Sequence, residues 1–129
     1  MPEGIKSKHF GCYWKTMFLT AMCYPKELQD CEEHRKVKRR YKAYYNSFQY
    51  ILPCRFCREF IQEVLNKTIP LDFSGRKELM KSIYLWKDAV NKKLIKQGYS
   101  VKPSPSFVSI LRKYESYGAT CNKSLGVCK

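Results

Sequence analysis

Apolar residues recur every three to four positions along most of this chain, and that period constrains its fold more than any other feature. From Gly11 to Tyr24, the residues Trp14, Phe18 and Ala21 step along one face before Pro25 breaks the run. In "ELQDCEEHRKVKRRYKAYYNSFQYIL" the same is true of Val37, Tyr41, Tyr44 and Phe48, with Arg35, Lys38, Arg39 and Lys42 off the stripe. Steps of three and four share one face of a helix, so each segment reads as an amphipathic helix with one wall to bury. Pro53 ends the second helix and suits the first turn of a third, "CRFCREFIQEVLNK", where Cys57, Ile61, Val64 and Leu65 keep the period.

The turn formers of "TIPLDFSG" separate it from a fourth helix, "RKELMKSIYLWKDAVNKKLIKQ". Its core stripe is Leu79, Ile83, Trp86, Val90 and Leu94, and Gly98 suits its C-cap. After "YSVKPSPS" a short helix is expected from Phe107 to Tyr117, closed by Gly118. Strand alternation, internal repeats and low-complexity tracts are missing. The expected fold is all-α, a four-helix bundle plus a short fifth helix. One domain over 1–118 carries it, followed by a flexible cysteine-containing tail over 119–129. A chain of 129 residues, 44% of them hydrophobic, is large enough for one real core.

Twenty-five Lys and Arg against eleven acids give a formal charge of +14. Such a field attracts polyanions without choosing among them, so nonspecific binding to nucleic acid, anionic membrane or acidic protein is expected. The cluster "HRKVKRRYK" reads either as a nucleic-acid or acidic-partner site or as the wet face of a helix; Val37 and Tyr41 at core spacing favour the wet face. No run approaches the ~18 apolar residues of a membrane span, and "MPEGIKSKHFGCYW" has no apolar stretch of the signal-peptide kind. An intracellular, cytoplasmic location is expected.

Seven cysteines (Cys12, Cys23, Cys31, Cys54, Cys57, Cys121 and Cys128) are many for such a chain. Reducing compartments disfavour structural disulfides, so metal or redox chemistry comes forward. Cys54 and Cys57 form a CxxC at the head of a helix. Residues i and i+3 share a face there, and the helix dipole together with Arg55 and Arg58 favours a thiolate. Such a pair suits thiol–disulfide exchange. Zinc would need two further ligands, yet the other cysteines stand at wide spacings and His9 and His34 lie near neither pair. A thioredoxin-like motif would need a strand before the CxxC, where this chain has a helix. Two buried cysteines that merely pack remain the third reading. No metal site is expected.

Three short motifs together carry a resemblance. "GCYWKTMFLTAMCYP" resembles the opening of the Erv/ALR family of FAD-linked sulfhydryl oxidases, G-x-x-x-W-x-x-L-H-x-x-A-x-x-Y-P, with a slightly shorter first spacing here. Gly11, Trp14, Met17, Ala21, Tyr24 and Pro25 fall in register. "LPCRFC" is similar to the family's proline-preceded CxxC, and "WKDAVNKKLIK" resembles its H-N-x-V-N-x-x-L-x-K segment through Val90, Asn91, Leu94 and Lys96. Order and spacing agree from about residue 10 to 115, and the short length is similar to that of the minimal members encoded by large DNA viruses. For such viral members the location would be host cytoplasm or virion.

The resemblance implies FAD held within the bundle, Cys57 against the flavin and Cys54 meeting the incoming thiol. Protein dithiols would be the substrates and O2 the electron acceptor, with hydrogen peroxide as product. It also implies a homodimer. Gly11, Trp14, Phe18 and Cys57 are the expected cofactor contacts from the first and third helices. Tyr84, Lys87, Asp88, Val90, Asn91, Leu94 and Lys96 are those from the fourth. Phe18 replaces a family histidine, Cys12 an arginine, Lys87 and Asp88 the histidine–asparagine pair, and Tyr84 a cysteine used in a structural disulfide. Cys121 and Cys128 are candidates for a shuttle pair on a mobile arm. Cys12 and Cys23 read as core fillers, and Cys31 as a cysteine able to cross-link subunits. The alternative reading is a non-enzymatic, basic helical module that binds nucleic acid or protein, with structural or zinc-bound cysteines.

Overall fold

The computed structural model describes residues 7–117 and 128, with side chains from residue 11 onward. Five helices run in chain order, and no strand occurs among the described residues. They are α1 (Ser7–Ala21), α2 (Glu32–Ile51), α3 (Arg55–Phe60 with its continuation), α4 (Arg76–Lys96) and α5 (Phe107–Glu115). After Phe60, α3 runs unbroken into a π-helical turn (Ile61–Leu65) and a last α-turn (Asn66–Thr68). α1 packs on α4, α2 on α3, and α5 on α4. None of these helices is long and apolar enough to cross a membrane.

The core is the set of stripes read from the sequence, with two displacements. Tyr45, 1% exposed, takes the inner position on α2, and Tyr44 stands beside it with its ring edge-on at 5.0 Å. A buried phenol is tolerated only when its hydroxyl finds an acceptor. Tyr45 donates to the Met17 carbonyl at 2.7 Å and Tyr41 to the Thr20 carbonyl at 2.9 Å, so both tie α2 to α1. Val64, expected inside, is 37% exposed. The π-turn lengthens the local period beyond 3.6, so the buried series becomes Cys57, Ile61, Leu65 in steps of four and Val64 rotates outward.

Helix ends follow local chemistry. α2 starts at Glu32, later than the periodicity suggests, because residues 25–31 are held as a loop. There the Leu28 amide donates to the Ser74 carbonyl and the Gln29 amide to His34 Nδ1. Pro53 lies before the cap of α3 rather than in its first turn, and Cys54 is the N-cap. α4 ends as expected at Gly98, whose φ of +88° lets the Tyr99 amide reach the Leu94 carbonyl. Ser106 caps α5 by accepting from the Ser109 amide. In the basic cluster on α2, Val37 and Tyr41 are buried while Arg35, Lys36, Arg39 and Arg40 are exposed, the pattern of a solvated helix face.

Candidate redox site

Leu52, Pro53 and Cys54 turn the chain from α2 into α3, and this corner holds the two cysteines. Cys54 is 3% exposed and Cys57 5%. Their Sγ atoms lie 2.7 Å apart, and Cys54 Sγ accepts the Cys57 amide at 3.3 Å. A disulfide needs about 2.05 Å between sulfurs, so only a small closing motion separates two thiols from a bond. Arg58 braces the corner by donating to the Leu52 carbonyl, while exposed Arg55 pairs with Glu59 at 2.8 Å.

The electrostatics differ from the expectation of a stabilised thiolate. Burial, and then the neighbouring Cys54, push the Cys57 thiol well above its ordinary range; Arg58 pulls the other way without winning. Desolvation opposes the charged form in an apolar surround more than one partly engaged guanidinium favours it. A group raised in this way keeps its proton at neutral pH until a reaction removes it.

Cys57 opens onto a closed niche lined by Tyr13, Trp14 and Met17 of α1, Leu52, Ile61 of α3, and Val90 of α4. One sulfur among apolar and aromatic side chains is the right chemistry for one face of a flat heteroaromatic ring. The free space is about 10 Å³, so a ring system fits only with α1 and α4 further apart than here. Trp14, Cys57 and Val90 are therefore expected site residues that the fold brings together. Tyr13, Met17, Leu52 and Ile61 were missed as site residues. Met17, in register with the first motif, and Ile61, four residues after Cys57, carried a usable signal.

The remaining expected contacts are placed otherwise. Gly11 is exposed with open space around it, so no close approach requires a glycine there. Phe18 is core, its ring 5.0 Å from that of Tyr114 on α5. Leu94 is buried and Lys96 exposed. Tyr84, Asp88 and Asn91 face the segment leading into α5. Tyr84 donates to the Pro105 carbonyl and packs on Phe107, Asn91 Nδ2 donates to Ser104 Oγ at 3.0 Å, and Asp88 pairs with Lys92 at 2.9 Å. Where a structural disulfide is expected in the family, this tyrosine fastens the loop instead. Lys87 is half-buried between α4 and α5, its ammonium pushed down by burial and then by the like charge of Lys113.

The other cysteines correct the sequence reading. Cys31 forms an intrachain disulfide with Cys128 across 97 positions, so neither a cross-link between subunits nor a Cys121–Cys128 pair is what these sulfurs make. Cys121 lies outside the described residues. Cys23 is disulfide-bonded and Cys12 is exposed, so neither is a core filler. A His34 ring nitrogen lies within 4.8 Å of the Cys31 and Cys128 sulfurs. Those sulfurs are bonded to each other, and His34 Nδ1 accepts from Gln29, so this cluster is not a metal site as it stands.

A small helical bundle with a buried, helix-capping dithiol facing an aromatic niche defines a class of thiol-redox module. The Erv1/Alr family model matches residues 12–112, and the chain belongs to that family of FAD-linked sulfhydryl oxidases. No curated protein matches the chain.

Proposed function

We propose that this chain is an FAD-dependent sulfhydryl oxidase that makes disulfide bonds in protein dithiols and passes the electrons to O2, giving hydrogen peroxide. The observation that carries the reading is the pair of buried sulfurs 2.7 Å apart, one of them facing the niche of Tyr13, Trp14 and Val90. With the pair oxidised and the corner between α2 and α3 opened enough to uncover Cys54, which is 3% exposed in the closed form, a substrate thiolate attacks its Sγ. The Cys54–Cys57 bond breaks and its electron pair stays on Cys57. The second substrate thiol then attacks the mixed disulfide, releasing an oxidised substrate and leaving Cys54 and Cys57 reduced.

Bound FAD would supply the two-electron acceptor that reoxidises this pair and delivers the electrons to oxygen. Trp14, Tyr13, Met17 and Val90 would wall the ring and exclude water. Lys87, whose ammonium feels the like charge of Lys113, would offer positive charge to a diphosphate. Arg58 is the neighbouring charge that favours the Cys57 thiolate.

Purified protein should be yellow, absorb near ~450 nm as an oxidised flavin does, and consume oxygen with dithiothreitol. Added FAD should raise its melting temperature. Cys57→Ser should abolish turnover while the flavin stays bound. A colourless protein, indifferent to FAD in melting and inert towards dithiothreitol, would overturn the reading.

A further inference from the structure

We infer that the cavity between α2, α3 and the loop before α4 is a second small-molecule site, separate from the redox niche and built for a flat lactam ring that carries one acidic group.

The cavity measures about 450 Å³, within the ~300–1,000 Å³ of small-ligand pockets. Tyr45 and Trp86 back it, and the polar atom of each is committed elsewhere. The Tyr45 hydroxyl donates to the Met17 carbonyl, and the Trp86 indole N–H to the Ile69 carbonyl. Both therefore offer only ring surface, and Phe73 stands beside Tyr45 with 6.1 Å between ring centres. Such a wall takes up a flat ring. Exposed Lys42 lies at the rim, its Nζ 5.9 Å from the centre of the Phe73 ring, where it meets an acidic group on that ring's edge.

Three amides form the polar side. Gln49 Nε2 donates to Asn46 Oδ1, and Asn66 Nδ2 donates to Gln49 Oε1 at 3.1 Å. The chain of amides thus ends in the Asn46 Nδ2 donor and the Asn66 Oδ1 acceptor. A lactam carries the matching carbonyl and N–H.

The π-turn of α3 is what brings Asn66 here. Its backbone N–H bonds to the Ile61 carbonyl five residues back, so the two residues share a face and both line the cavity. In an unbroken α-helix they would stand ~140° apart. Turns of this kind recur at functional sites. Ile61 is the only residue common to this lining and that of the Cys57 niche, and α1 contributes to the niche alone. The cavity is therefore not the place assigned to the flavin ring.

Calorimetric titration of the FAD-loaded protein in ~0.15 M salt tests the site. The probes are uridine monophosphate and orotate, a lactam ring with a phosphate and one with a carboxylate; the tighter binder assigns the acidic group. One molecule should bind per chain, and uridine and ribose 5-phosphate should each bind about tenfold more weakly or worse. Lys42→Met should weaken binding of the tighter probe by about tenfold, whereas Arg40→Met, which removes an equal charge from α2 outside the cavity, should change it by less than about twofold. Ala43→Trp, at an exposed position lining the cavity, should fill it and abolish binding. Ribose 5-phosphate binding as tightly as uridine monophosphate, or an equal loss in Arg40→Met and Lys42→Met, would mean attraction of anions to a +14 chain and would overturn the inference. So would binding that FAD displaces, binding that survives Ala43→Trp, or no binding of either probe. Protein that takes up no FAD would count against the oxidase reading alone; it is titrated as it is, and the same variants then decide.

Discussion

Gly75, at the head of α4, shows how much one missing side chain can decide. A Cβ there would stand 2.6 Å from the Lys26 carbonyl oxygen and 2.5 Å from a Glu78 carboxylate oxygen. The carboxylate can swing away, but the backbone carbonyl belongs to the loop that α4 grips through Arg76 Nε on the Tyr24 carbonyl. Gly75→Ala should therefore cost about 1–3 kcal/mol, seen as a lower urea midpoint with an unchanged slope. The buried phenols of this region give a second residue-scale outcome. Burial above all pushes Tyr24 and Tyr41 up to about 12 from an ordinary 10. The fold thus prefers the neutral phenols. Their contribution is complete below pH 10 and is lost as pH rises from 10 to about 12, where the unfolded chain ionises first. The urea midpoint should fall across that window, and less steeply in Tyr41→Phe; a flat profile in wild type would contradict this.

At the scale of elements, α5 is the shortest of the five helices and depends on its ends. Its nine residues bury Ile110 and Tyr114, and the Tyr114 ring closes over Phe18. Ser106→Ala should remove the cap at a cost of about 1 kcal/mol, appearing first as faster amide exchange in α5. The π-turn of α3 is the element that periodicity could not anticipate. It is held by Gln62 donating to the Gln49 carbonyl at 2.6 Å and Asn66 Nδ2 donating to Gln49 Oε1 at 3.1 Å. These are contacts between α2 and α3, invisible to any pattern within one segment, and they explain why Val64 was misplaced. Cys57 and Ile61 precede or open that turn, so their place in the stripe was legible.

For the whole molecule, the Cys31–Cys128 bond fastens the head of α2 to a residue 97 positions away. Closing so long a loop removes much of the freedom of the unfolded chain. C31S/C128S should lose about 2–4 kcal/mol of stability, read in urea with and without reductant. An equal response of wild type and variant to reductant would assign the stabilisation to another bond.

Local pattern was enough to set the helices, most of their buried faces, the cap at Gly98 and the CxxC at the start of α3. Each of these depends on neighbours within a few residues, where periodicity and turn chemistry act. Tertiary structure alone decided the cysteine partners, because a disulfide depends on distance in space and seven cysteines leave many pairings open. It also decided that Tyr84, Asp88 and Asn91 face the segment before α5, and that Tyr13 and Leu52 join Trp14 and Val90 around Cys57. Burial raised the Cys57 thiol against the helix and arginine that the sequence placed beside it, because desolvation depends on everything packed around a sulfur.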